Sequence, residues 1–178
     1  MKNTYIILAV MVMLVVSCKP KNKPEQSSEA LRAELSADID KTEKELYVSK
    51  NFDTQKAKQM IGKYVNYSRK FPNDTTSAKY LIKASEIALS LNQPHNAVEY
   101  LTTVEKSGMQ CNDYPLAIFY LGYTYHNYLN DTAKARHYYE LFIQKYPDHS
   151  LSDDAEASIK FLGLSDEELI DAFEKMNK

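Results

Sequence analysis

The chain repeats itself. The stretch YVNYSRKFPND, starting at Tyr64, and the stretch YELFIQKYPDH, starting at Tyr139, share one pattern. Tyr64 corresponds to Tyr139, Tyr67 to Phe142, Lys70 to Lys145, Phe71 to Tyr146 and Pro72 to Pro147. Aromatics three and seven residues apart fall on one face of a helix. The proline then ends it, because the residue before a proline is pushed out of the helical region. Recurrence of such a unit along a chain indicates an array in which each unit buries its apolar face against the next. Composition agrees: only 4 Gly and 6 Pro in 178 residues suit helices joined by few tight turns. The 14 tyrosines, with no tryptophan, can fill the space between helices and keep their hydroxyls at a wet edge.

Between the two matching stretches lies a middle unit, Thr76 to Gly108. Its first predicted helix, Ser77 to Leu91, carries Leu81, Ala84, Ala88 and Leu91. The turn is Asn92 to His95. The second, Asn96 to Lys106, carries Ala97, Leu101 and Val104. The small or pivotal residue of each second helix then falls at Met60, Ala97 and Ala135, in steps of about 37 and 38 residues. Residues Ser107 to Asp113 form a longer connecting loop.

The last unit, Tyr114 to Pro147, has the most specific pattern. Ile118, Leu121, Gly122 and Tyr125 are followed by Ala135, Tyr139 and Pro147. Gly122 and Ala135 are small enough to let two helix backbones approach. This pattern resembles the tetratricopeptide (TPR) repeat, W-x2-L-G-x2-Y, then A-x3-F, then P. Ile118 stands for Trp and Tyr139 for Phe, and the turn near Asn130-Asp131 is one residue longer than in the repeat's usual form. The resemblance covers about Thr54 to Phe161. It implies an all-α fold, an antiparallel helix-pair (TPR-like) right-handed solenoid, and a non-catalytic scaffold for proteins or peptides. It also implies that first helices line the concave side. That makes Lys79, Ile82 and Glu86 of the middle unit, and Phe119, Tyr123, His126 and Asn127 of the last, the candidate protein-binding face. Phe119 and Tyr123 can equally be read as core.

Helices are expected at both ends. Leu31, Leu35, Ile39 and Leu46 lie on one face of a helix from Ser28 to about Tyr47, which either covers the end of the stack or begins an oligomerising coiled coil. A second helix runs from Thr54 to Lys70, with Asp53 or Thr54 as its cap. After Pro147, Ser152 to Phe161 forms a helix with Ala155, Ala157 or Ser158, Ile159 and Leu162 inward, stopped by Gly163. Ser165 and Glu168 form a capping box for a last helix carrying Leu169, Ile170 and Phe173. This final pair is expected to seal the stack.

The amino terminus reads differently. Lys2 precedes an apolar run, Tyr5 to Val16, too short for a bilayer core that needs roughly 20 residues. It reads as the core of a signal peptide, residues 1–17. The ending Leu14-Val15-Val16-Ser17-Cys18 resembles a bacterial lipobox, which implies lipidation of Cys18. Residues 18–28 are polar and Pro-containing and read as a flexible tether, leaving 29–178 for the helical domain. Lys19 follows the cysteine where an aspartate would favour the inner membrane, so the expected address is the outer membrane, facing the periplasm. The combination resembles envelope lipoproteins of outer-membrane assembly and the repeat protein that accompanies the Tol–Pal system. Cys111, the other cysteine, can form no internal disulfide in the mature chain.

Catalytic patterns are missing from the sequence. A formal net charge of −2 gives no electrostatic case for nucleic acid. The four histidines show no metal-ligand spacing, and the four glycines are isolated, so no metal, cofactor or small-molecule substrate is expected. Two tripeptides, Asp74-Thr75-Thr76 and Asp131-Thr132-Ala133, resemble an O-glycosylation motif of some envelope bacteria, which implies Thr75 and Thr132 as attachment sites. Both Asp-Thr pairs also suit helix caps.

Overall fold

The computed structural model describes residues 27–48, 53–108 and 111–176. Residues 1–17, the Cys18 lipidation site and all but the last two residues of the 18–28 tether lie outside the described residues. Eight α-helices follow one another: α1 (Ser28–Val48), α2 (Thr54–Lys70), α3 (Thr75–Ser90), α4 (Pro94–Ser107), α5 (Tyr114–Asn127), α6 (Thr132–Lys145), α7 (Ser152–Phe161) and α8 (Asp166–Met176). From α1 to α7 each helix packs against the next, and α3 also meets α5. The fold is an all-α, TPR-like helical solenoid. No described helix is long and apolar enough to cross a membrane.

Side chains next to the helix ends set where the helices begin. Asp53 accepts hydrogen bonds from the Gln55 and Lys56 amides at 2.9 and 3.1 Å, Asp74 from Thr76 at 2.9 Å, and Asp131 from Lys134 at 3.0 Å. Each satisfies amides that have no partner within the helix. α4 starts two residues earlier than expected, because Pro94 occupies its first turn, where a missing N–H costs nothing. The α3–α4 and α5–α6 turns both use an asparagine in the left-handed region, Asn92 at φ 55° and Asn130 at φ 50°. The longer α5–α6 turn is closed by the Asp131 amide on the Tyr125 carbonyl at 2.9 Å.

The core forms three successive clusters. Ile39 and Leu46 of α1 join Met60, Tyr64 and Tyr67 of α2 and Tyr80, Ala84 and Ile87 of α3. Leu81, Leu101, Val104, Ala117 and Leu121 form the second. Ile118, Phe119, Ala135, Tyr139, Phe142 and Ala155 form the third. Every described core side chain lies between Leu31 and Leu162, so a chain beginning at Ser27 keeps all of them. The internal repeat holds in space: Tyr64 and Tyr139 are both fully buried, as are Met60, Ala97 and Ala135. It extends beyond the matched stretch, since Ser77 donates to the Phe71 carbonyl and Ser152 to the Tyr146 carbonyl, both at 2.7 Å.

α1 is locked down rather than left as a seam. Leu31 and Leu35 pack on the first cluster beside Ile39 and Leu46. Glu43 accepts hydrogen bonds from the Tyr64 hydroxyl and, at 2.7 Å, from the Lys83 ammonium. Arg32 pairs with Asp74 and lies over the Phe71 ring at 4.6 Å. Asp74 also accepts from the Tyr67 hydroxyl at 3.0 Å. Burial would raise both carboxyls. The Lys83 and Tyr64 hydrogen bonds at Glu43 outweigh it, as do the Thr76 amide, the Tyr67 hydroxyl and Arg32 at Asp74, so both lie below their ordinary values.

Gly122 sits in the expected close α5–α6 contact: a Cβ added there would meet Tyr139 Cδ1 at 2.8 Å. One expectation is corrected. The final pair does not seal the stack. Ala155, Ile159 and Leu162 of the α7 region join the third cluster, with Ser158 half-buried and Ala157 exposed. No described side chain of α8 belongs to it, and Ile170 and Phe173 are 58% and 47% exposed. Gly163, at φ 84°, turns the chain off the stack, and the Ser165–Glu168 capping box starts α8 there.

Candidate protein-binding face

Adjacent helices α3 and α5 bring the sequence-predicted residues together on one side, at two depths. Lys79, Glu86, Tyr123 and Asn127 are exposed and His126 is half-buried. Ile82 and Phe119 are core side chains, 5% and 9% exposed, and leave the face. Ile82 belongs to the second cluster. Phe119 packs edge-on against Tyr139 and Phe142, with centroids 5.7 and 5.5 Å apart. Both support the face from beneath.

Two tyrosines extend it. Tyr120 lies 6.5 Å from Tyr123, ring to ring, and Tyr123 lies 6.1 Å from Tyr128, which is 37% exposed. The Tyr120 hydroxyl interacts with the Glu86 carboxylate across the α3–α5 seam. Shielding by its surroundings pushes the Glu86 carboxyl up, with Tyr120 and Lys83 opposing. Burial and Glu86 together push the Tyr120 hydroxyl up as well. The tyrosines were visible as types in the sequence but not as a face, because α5 is apolar around almost its whole circumference. The Asn127 amide donates to the Tyr123 carbonyl at 3.0 Å and steadies the last turn of α5. His126 meets the Tyr139 ring edge-on, and burial lowers its pKa.

The remaining candidates lie at helix starts. Thr75 and Thr132 are exposed first residues of α3 and α6, each directly after an aspartate that caps its helix. Thr75, Thr76 and Lys79 line an open cleft with Cys111, Asn112 and Asp113. Cys111 is a free, half-buried thiol packed on the second cluster. Among the described residues no group of three His, Cys, Asp or Glu side chains could hold a metal ion. No buried side-chain polar atom among them lacks a hydrogen-bond partner.

The described helices stack one on the next, and the α3–α5 side carries the exposed residues named above. Residues 116–149, which take in most of α5, all of α6 and the turn after it, match the family model described as tetratricopeptide repeat. Repeats of this kind generally mediate protein–protein interaction. No curated protein matches the chain.

Proposed function

We propose that this chain is a non-catalytic scaffold of the bacterial cell envelope, anchored to the outer membrane by lipid at Cys18 and facing the periplasm. It binds a protein partner across the α3–α5 face. The observation that carries the binding role is the exposed strip of Tyr123, Tyr128, Glu86, Lys79 and Asn127 over a buried floor of Ile82 and Phe119. Tyrosine supplies a large contact area at small cost in side-chain entropy, and flanking polar groups fix orientation. The anchor and address rest on the lipobox-like ending and the short apolar run before it.

The alternative, an oligomerising spacer built on α1, is weaker. Leu31, Leu35, Ile39 and Leu46 are spent on packing inside the chain. Thr75 and Thr132 complete the proposal as sites of O-glycan attachment.

Cross-linking in cells of origin, followed by mass spectrometry, tests the binding role. Partners recovered with the native chain should disappear with Tyr123→Ala and Glu86→Ala together, while the melting curve is unchanged. Undiminished recovery by that folded variant places binding elsewhere. Mass spectrometry of the same material reports on Thr75 and Thr132, where an unmodified mass at both removes the glycan from the reading.

A further inference from the structure

α8 leaves a second surface open, separate from the α3–α5 face. Five large hydrophobic side chains are exposed among the described residues, and three of them, Leu164, Ile170 and Phe173, lie at this end. Ile170 and Phe173 are three residues apart and share one side of α8. The Phe173 ring of this ridge meets Phe161 of α7, with centroids 5.1 Å apart. Glu167 and Glu174 stand three residues before and four residues after Ile170, with Asp171 beside it, and all three are exposed. None forms an ion pair among the described residues. Among the described residues, cations at this end include Lys175 in the last turn of α8 and Lys160, over the Phe161 ring at 5.4 Å.

The acidic rim selects among occupants. Two copies joined ridge to ridge would bring Glu167, Asp171 and Glu174 against their own kind, which is unfavourable. Joining head to tail fares no better, because α1 carries six acids against three bases. The three side chains also offer on the order of 300 Å², against about 800 Å² per partner in a stable dimer. An anionic lipid surface is repelled by the same charges. What fits is an amphipathic helix with one apolar stripe and basic flanks. We propose that the α8 ridge docks such a basic helix from a partner protein, its stripe on Leu164, Ile170 and Phe173 and its Lys or Arg residues against Glu167, Asp171 and Glu174.

The test uses the chain from Ser27 onward and a fluorescent peptide of about 18 residues, long enough to form a helix, with Leu at helical spacing and Lys elsewhere. A matched peptide carries Glu in place of Lys. Anisotropy is read near physiological ionic strength, and circular dichroism confirms that each variant keeps its helices. Binding of the Lys peptide should weaken at least tenfold in Ile170→Ser/Phe173→Ser, and again in Glu167→Lys/Glu174→Lys, and should be unaffected by Tyr123→Ala. The charge-reversed variant alters no apolar contact, so it decides the matter if the serine variant loses helix. Equal binding of the Glu peptide overturns the proposal, as does wild-type binding by the charge-reversed variant. A dimer in sedimentation that Phe173→Ser abolishes assigns the ridge to a second copy instead. Pelleting with anionic phospholipid vesicles that the serine variant abolishes assigns it to a membrane.

Discussion

Two glycines in similar helices should respond in opposite ways to the same added methyl group. A Cβ at Gly122 would lie 2.8, 2.9 and 3.1 Å from Cδ1, Cε1 and Cγ of Tyr139. Carbon atoms in contact want about 3.5–4.0 Å, so the overlap is roughly 0.7 Å. Tyr139 cannot swing aside cheaply. It is fully buried, its ring is held by Phe119 on one side and His126 on another, and the crowded atoms include the root of the ring. Overpacking of this kind costs about 1–3 kcal/mol. Replacing Gly by Ala in a helix interior returns about 1 kcal/mol. Gly122→Ala should therefore be between neutral and about 2 kcal/mol less stable. Gly62, in α2, is exposed, and a Cβ there would meet nothing within 4 Å. Gly62→Ala collects the helix term alone and should gain about 0.5–1 kcal/mol. Chemical denaturation of the two variants, made in the chain from Ser27 onward, should separate them by about 1–3 kcal/mol, and thermal melting by roughly 2–12 °C in Tm. If Gly122→Ala matches or exceeds Gly62→Ala, the α5–α6 contact is not as close as described.

Ile82→Ala should cost about 2–5 kcal/mol, whereas Tyr123→Ala should leave the unfolding midpoint within about 0.5 kcal/mol; equal losses by thermal melting would return Tyr123 to the core. Asp74→Ala removes a helix cap together with the partner of Arg32 and Tyr67, and should destabilise by about 1–3 kcal/mol in urea unfolding. Glu43 and Asp74 both have lowered pKa values when folded, so their contribution is complete above the ordinary values of 4.5 and 3.8 and is lost as pH falls through the folded values. Acid titration should loosen α1 first. Glu43→Gln should flatten the stability–pH curve below about pH 4.5, and an unchanged slope would show that Glu43 is not linked to folding. Cys18→Ala in cells should leave an unlipidated precursor; a product of mature mass still bound to membranes would end the lipobox reading.

The helices and the repeat were legible along the chain. α2 and α7 fall on their predicted bounds because an aspartate cap or a stop signal lies next to each apolar period, and those signals are local. The correspondence of Tyr64 with Tyr139 and of Met60 with Ala135 was also legible, because repetition fixes which residues face inward without a partner being specified. The sequence did not resolve the two sides of α5. Nearly all its residues are apolar or aromatic, so the periodicity carries no direction, and only the position of α6 decided that Phe119 is core and Tyr123 surface. Ile82 was decided in the same way, by where α4 and α5 lie against α3. The fate of α8 was likewise tertiary. Its amphipathic pattern predicted burial, but burial needs a neighbour within reach. Beyond the left-handed turn at Gly163, α8 meets α7 through Phe173 on Phe161, and Ile170 and Phe173 stay largely exposed.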